Sequence, residues 1–380
     1  MRKINVLSLF DGLSCGRVAL QRAGIPVNKY YASEIDKYAI MITQKNFPDT
    51  VQLGDVTKWE DWDIDWSSID LLIGGNPCVS WSVAGKQLGT EDPRGQLLFD
   101  YVDILHHIQK YNPNVKFLVE NVKMKQEFQD IFSDMLGVQS VEINSALLSA
   151  QNRKRLYWAN WEFGQPEDKH IMLKDIVHEY SRVDRDKSLC LDANYHKGGN
   201  LKQYYEKHRR QLAFEWLNEY IVPFDKTLQI LNKEVERGKV GYFGKDSQAN
   251  RVYYIHDKAV TLCGSAGGGA AKMGQYLFGC LVPDRVNKRQ NGQRFNEGDK
   301  FYTLTAQDKH GVLVEGYIRK LTPVECERLQ TLEDGFTANG IDPKTGKVVP
   351  ISNTQRYKAL GNGWTVDVIA HILKSLDFGE

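Results

Sequence analysis

A chain of 380 residues, 42% hydrophobic and 26% charged with 32 glycines and 11 prolines, can bury a sizeable core and is expected to form two domains. A formal net charge of +1 argues neither for nor against nucleic acid, so any polyanion-binding surface must be a local patch. No apolar run spans a membrane, no leader pattern opens the chain, and six scattered cysteines without a Cys-x-x-Cys pair or a His-rich partner segment indicate neither a disulfide framework nor a zinc site; a cytoplasmic protein with reduced thiols and no metal is expected.

Val6-Leu7-Ser8-Leu9-Phe10 reads as a buried strand, and Asp11-Gly12-Leu13-Ser14-Cys15-Gly16 as a glycine turn into a helix from Arg17 to Ala23. Such a turn lets a ligand approach the backbone and the helix N-terminus, although it also serves close packing alone. The spacing is not G-x-G-x-x-G, which favours an uncharged nucleoside end over a pyrophosphate. Tyr30 to Ser33 predicts the second strand, ending in Glu34-Ile35-Asp36. Glu34 suits ribose hydroxyls, while Ser33 or Asp36 could instead cap a helix from Lys37 to Asn46. A third strand-end acid follows in Gly54-Asp55-Val56, where the carboxylate could accept an exocyclic amine of adenine.

Leu71-Leu72-Ile73 ends in Gly74-Gly75-Asn76-Pro77-Cys78, so a sharp turn presents Cys78 at a strand's carboxyl edge, where open α/β sheets bind ligands. Taken alone, a Pro-Cys pair is more often packing material. The polar, glycine-punctuated segment from Ala84 to Gly95 reads as a closing loop, and Leu97 to Lys110 as an amphipathic helix. Val115 to Val119 predicts the next strand, ending in Glu120-Asn121-Val122, so that Glu120 and Cys78 stand at matching strand ends and can face one pocket. A strand pair follows, Gln139 to Leu148 and Arg155 to Trp161. Between them Gln151-Asn152-Arg153-Lys154-Arg155 places Arg153 and Arg155 on one face.

From about Asp168 the βα rhythm breaks. Lys202 to Arg237 suggests one or two solvated helices separated at Pro223, and then Arg251 to Leu262 and Arg294 to Leu304 form a weak repeat, with Cys190 to Asn194 as an eroded third copy. A plain hairpin domain explains such units; a nucleic-acid reader is favoured by Arg285, Lys288, Arg289, Arg294 and Lys309. The regular pattern resumes at Gly316, with an N-capped, proline-led helix near Leu321 to Gln330 and a last helix from Thr365 to Ser375. The expected division is 1–180 and 316–380 for the first domain and 181–315 for a β-rich insert.

In order along the chain, Phe10-Asp11-Gly12, Glu34, Asp55, Pro77-Cys78, Glu120-Asn121-Val122, Gln151-x-Arg153-x-Arg155, Leu321-Thr322-Pro323 with Glu325 and Arg328, and Gly361-Asn362 resemble the motifs of the DNA (cytosine-5) methyltransferase family. The resemblance covers Val6 to Trp161 and Tyr317 to the last helix. It implies a Rossmann-like α/β S-adenosylmethionine-dependent domain with a mixed, mostly parallel sheet, a smaller inserted target-recognition domain, and a final helix packed beside the first strand. It implies S-adenosylmethionine as cofactor, leaving as S-adenosylhomocysteine, held by Phe10, Asp11, Gly12, Leu13, Ser14, Glu34, Ile35, Asp55, Val56, Pro77, Leu97, Asn362, Gly363 and Trp364.

The chemistry implied is addition of the Cys78 thiolate to C6 of cytosine, which makes C5 nucleophilic. A protonated Glu120 would donate to N3, Arg155 would hold O2, and Arg153, grouped with the catalytic residues, would support the loop or a phosphate. The cytosine must rotate out of the duplex, with Ser80, Lys86 and Arg94 near the opened strand and Arg285, Arg289 and Arg294 on the insert as DNA contacts. Two departures stand out: Val79 replaces the family's usual Gln, and Trp364 resembles the variant of the branch that includes animal de novo methyltransferases. The expected partner is double-stranded DNA, bound by a monomer in a bacterial or phage-infected cell, with a cognate restriction endonuclease acting separately and no membrane. The rival readings are a tRNA cytosine-5 methyltransferase and a catalytically silent DNA-binding module, the latter disfavoured by the presence of Cys78, Glu120 and Arg155.

Overall fold

The computed structural model describes residues 2–75, 97–178, 181–199, 204, 207–216, 228–230, 239–243, 251–253, 276–277 and 316–378. These divide into one unit of residues 1–176, 185–196 and 322–380, and a second of 177–184 and 197–321.

The first unit is built on a seven-stranded sheet. Its strands are β1 (Ile4–Leu9), β2 (Val27–Ser33), β3 (Val51–Gln52), β4 (Leu71–Gly75), β5 (Lys116–Val122), β6 (Val141–Asn144) and β7 (Lys154–Ala159), in the order β3-β2-β1-β4-β5-β7-β6. All neighbours from β3 to β5 run parallel, while β7 lies antiparallel to both β5 and β6. This is the mixed, mostly parallel sheet that the family resemblance implies. Helices α1 (Cys15–Ala23), α2 (Lys37–Asn46), α3 (Leu97–Tyr111) and α4 (Gln126–Leu136) connect or flank the strands. Leu7, Leu9, Leu72, Val119, Ile104, Leu105, Phe117 and Trp158 meet in the core.

Local chemistry sets the element ends. β1 stops at Leu9 because Phe10 adopts a left-handed φ of 56°, and Ser14 (φ 54°) opens α1 two residues earlier than the apolar pattern suggests. Of the two candidate caps for α2, Asp36 serves: its carboxylate accepts from the main-chain N–H of Tyr38 at 2.9 Å and Ala39 at 3.3 Å. β5 continues through Glu120 to Val122, beyond the expected end at Val119, because antiparallel β7 supplies partners there, pairing Glu120 with Tyr157 and Val122 with Arg155.

The chain's return is pinned by polar groups. Thr322 and Glu325 form a capping box at the helix Pro323–Leu329, with the proline in its first turn. The final helix, Val366–Lys374, packs against α1, and Arg22 pairs with Asp367 at 2.6 Å. Fully buried Glu327 accepts from the N–H of Gly335 (2.7 Å) and Thr337 (2.8 Å) and pairs with Arg356 at 2.9 Å. Glu327→Ala leaves Arg356 without its buried partner and is expected to lower unfolding free energy by about 3–5 kcal/mol in urea titrations.

The second unit is rich in strands. Tyr276–Leu277, Gly316–Lys320, Leu212–Trp216 and Ser181–Arg182 form one antiparallel sheet; Leu228–Ile230, Lys239–Phe243 and Arg251–Tyr253 form another. The helical expectation for Lys202 to Arg237 is therefore corrected at 212–216 and 228–230. Leu212–Trp216 finds its ladder partner in Gly316–Lys320, about a hundred residues away in the chain, a pairing no local pattern reveals. For the same reason Gly316–Lys320 clusters with this unit, and the first unit resumes at Thr322 instead of residue 316. Residues 185–196 cluster with the first unit and, at Cys190 to Asn194, form no strand, so the eroded third repeat is not a structural repeat.

Candidate active site

Parallel strands end together, so the register that pairs Gly74 with Val119 also sets Gly75 beside Glu120 at the carboxyl edge of the sheet. The antiparallel β7 begins at that same edge, which brings Arg155 opposite Val122, two residues beyond Glu120. Arg155 Nε then donates to Glu120 Oε1 at 2.9 Å. The other oxygen, Oε2, accepts from Trp364 Nε1 at 3.0 Å. Glu120 is only 8% exposed, and a Cβ on Gly75 would come within 2.6 Å of Trp364 Nε1 and 2.8 Å of Glu120 Oε2. A glycine at 75 is thus what lets the pair lie against the strand end.

Gln151, Arg153 and Arg155 divide their labour. Buried Arg153 donates to the carbonyls of Leu191 (3.0 Å), Gly363 (3.0 Å) and Gly361 (3.4 Å). Gln151 donates to Leu329 O at 2.9 Å and to Gln330 Oε1 at 3.0 Å. Gln330 in turn reaches the carbonyls of Leu360 (2.7 Å) and Gly363 (3.2 Å). The Arg153 guanidinium thus holds backbone carbonyls of Leu191, Gly361 and Gly363. Cys190 lies between these arginines; burial opposes ionisation of its thiol, but the Arg153 and Arg155 charges outweigh it and hold the thiol below its usual range.

On the other side of β1, the glycine turn gathers the residues expected to hold a nucleoside. Glu34 Oε2 accepts from Gly12 N at 2.8 Å, and Oε1 accepts from Ile35 N and Asp36 N at 2.8 and 2.7 Å. Asp11 accepts from Ser14 Oγ and, at 2.8 Å, from the Tyr30 hydroxyl; burial pushes its carboxyl up despite these bonds. Leu13 and Ser14 are buried, whereas Ile35 is 75% exposed. Asp55 turns its carboxylate onto Thr57 N (3.0 Å) and Oγ1 (2.9 Å), Val56 joins the core, and Leu97 opens α3. Gly363 is buried beside exposed Asn362, and Cys15, whose thiol burial pushes up to about 12, accepts a bond from the Trp364 main chain.

Pro77, Cys78, Ser80, Lys86 and Arg94 lie outside the described residues, as do Val79 and the insert cations Arg285, Arg289 and Arg294. The structure adds residues that the sequence reading left unassigned: Gln330, Tyr30, Cys190 and Gly75. Tyr30, four positions ahead of Glu34, and Gly75, in the turn before Cys78, offered a local signal; Gln330 and Cys190 did not.

Residues 4–377 match the family described as C-5 cytosine-specific DNA methylase. The chain belongs to that family. It is 30% identical to the orphan methyltransferase M.SPRI of Bacillus phage SPR, covering 99% of this chain and 98% of the relative. It is 26% identical to the type II methyltransferase M.HhaI of Haemophilus parahaemolyticus, covering 97% and 93%. Among solved structures, the Entamoeba histolytica methyltransferase EhMeth shares the fold with a TM-score of 0.52 at 15% identity, covering 99% of this chain and 98% of its own. This C5 methyltransferase is therefore an enzyme that acts on cytosine in DNA and uses S-adenosylmethionine. Among the described residues no helix is long and apolar enough to cross a membrane.

Proposed function

We propose that Cys78, Glu120 and Arg155 carry methylation of C5 of a cytosine turned out of a short duplex DNA target. The observation that carries this reading is the Glu120–Arg155 pair at the carboxyl edge beside Gly75, which precedes Cys78 by three positions in the sequence. The Cys78 thiolate adds to C6 of the ring, and the electron pair displaced toward C5 is stabilised when Glu120 gives a proton to N3. Arg155 holds Glu120 through Nε and is assigned to O2 of the base. Once C5 has taken up the methyl group, N3 returns its proton to Glu120, and loss of the C5 proton lets the Sγ–C6 bond break, restoring the thiolate. Arg153 keeps the 361–363 segment in place.

The residues of the turn fit the nucleoside part of S-adenosylmethionine. The three N–H groups on Glu34 fix its carboxylate and leave acceptor capacity for ribose hydroxyls. Ile35, an aliphatic side chain left in water beside it, suits the face of a purine. Phe10, Asp11, Gly12, Leu13 and Ser14 form the turn, with Asp55, Val56, Pro77, Leu97, Asn362 and Gly363 completing the set. When bound, S-adenosylmethionine supplies an electrophilic methyl group. No metal enters this reading.

Ser80, Lys86, Arg94, Arg285, Arg289 and Arg294 are assigned to DNA. Neutralising Arg289 and Arg294 together is expected to weaken binding on all sequences and to reduce the slope of log K against log salt by about 0.9 for each phosphate no longer neutralised, read by fluorescence anisotropy across a salt series. The enzyme is read as a cytoplasmic monomer. A separately acting restriction endonuclease is compatible with it, since orphan and type II methyltransferases both occur among the relatives.

The direct test is methyl transfer from labelled S-adenosylmethionine to unmethylated genomic DNA and, in parallel, to tRNA, followed by nucleoside analysis. The expected result is 5-methylcytosine in DNA within one short context. Label confined to tRNA would replace the DNA substrate by RNA.

A further inference from the structure

We propose that Trp364 is a positioning residue that orients Glu120 for the cytosine ring, a role that rests on the assignment of Glu120 as the proton donor. The sequence gives Trp364 only a share of the cofactor pocket. In the structure its indole N–H ends 3.0 Å from Glu120 Oε2, while Arg155 Nε stands 2.9 Å from Oε1. The terminal torsion of a glutamate is soft and nearly two-fold, so a carboxyl held at one oxygen still swings. Held at both, by donors from two different chain segments, it keeps one plane.

The chain on either side of Trp364 is held in place. Gly363, just before it, has its carbonyl held by Arg153 and Gln330, and Thr365, just after it, donates to Gln330 Oε1 at 3.0 Å. Gly75 makes room for the indole: a Cβ there would reach within 2.6 Å of Nε1, while Cζ3 lies in ordinary contact with the place of a Cβ on Gly16, in the first turn of α1, at 3.4 Å. Trp364 therefore spans from the helix that follows the cofactor turn to the acid that faces the base.

Trp364→Phe keeps an aromatic ring and removes the N–H. Exchange of tritium out of C5-tritiated cytosine in duplex DNA needs no methyl donor, and so it isolates what the acid does for the base. In this exchange the Sγ–C6 bond forms, C5 takes a proton from water, the tritium leaves C5 as a hydron, and the Sγ–C6 bond breaks. Loss of the indole N–H that holds one carboxyl oxygen is expected to slow the exchange about 3- to 10-fold, while KM for S-adenosylmethionine changes less than about threefold. In a Glu120→Gln background, where the group acted upon is already changed, Trp364→Phe is expected to add less than about a twofold loss. Unaltered exchange with a raised KM would overturn the proposal in favour of a cofactor-lining role, and so would losses that multiply in the double variant. Absence of exchange by the unsubstituted enzyme on C5-tritiated DNA of the sequence it methylates would instead overturn the assignments of Cys78 and Glu120, and this proposal with them.

Discussion

Cys78→Ser is expected to abolish methyl transfer, by at least about three orders of magnitude, while DNA affinity stays within about threefold of the unsubstituted enzyme. A hydroxyl in place of the thiol is a far weaker nucleophile at neutral pH, since it is the thiolate that adds to a ring carbon. The substitution removes no charge expected to contact phosphate, so the electrostatic part of DNA binding is untouched. Single-turnover methylation and anisotropy on the same oligonucleotide separate the two effects. Retained methylation in this variant would transfer the nucleophile's role to another residue.

Glu120→Gln is expected to lower kcat by about 10²- to 10⁴-fold, the usual contribution of a positioned general acid. An amide has nearly the shape of the carboxyl and its oxygen can accept from Arg155 or Trp364, so the loss should not come from unfolding. S-adenosylhomocysteine affinity should be nearly unchanged, because the groups bound to Glu34 and the 10–14 turn are separate from Glu120. A comparable fall in cofactor affinity, measured by calorimetry, would count against a role confined to the base.

The sequence disclosed those parts of the site that lie at strand ends. Apolar runs closed by glycine or an acid marked β1, β2 and β4, and the alternation around Arg153 and Arg155 placed both on one face, although the strand itself begins only at Lys154. The same local reasoning could not tell which arginine meets the acid. That depends on the antiparallel register of β7 on β5, and on carbonyls contributed by residues 191, 361 and 363. Trp364 lies 244 positions from Glu120, so its bond to the acid follows from the path of the returning chain and has no local signature. The strands at 212–216 and 228–230 were hidden likewise: their polar, lysine- and glutamate-rich surroundings read as solvated helix, and the long-range pairing with 316–320 overrode that preference for the first of them.

The most direct test of Cys78 as the nucleophile is covalent trapping on duplex DNA carrying 5-fluorocytosine at the target position, with S-adenosylmethionine present. Fluorine at C5 cannot leave as a proton, so the Sγ–C6 bond cannot be released by elimination. The predicted result is a denaturation-resistant protein–DNA complex whose cross-linked peptide, read by mass spectrometry, carries the nucleotide on Cys78. No complex on a DNA that the enzyme methylates, or a cross-link at Cys190 or any other residue, would contradict it.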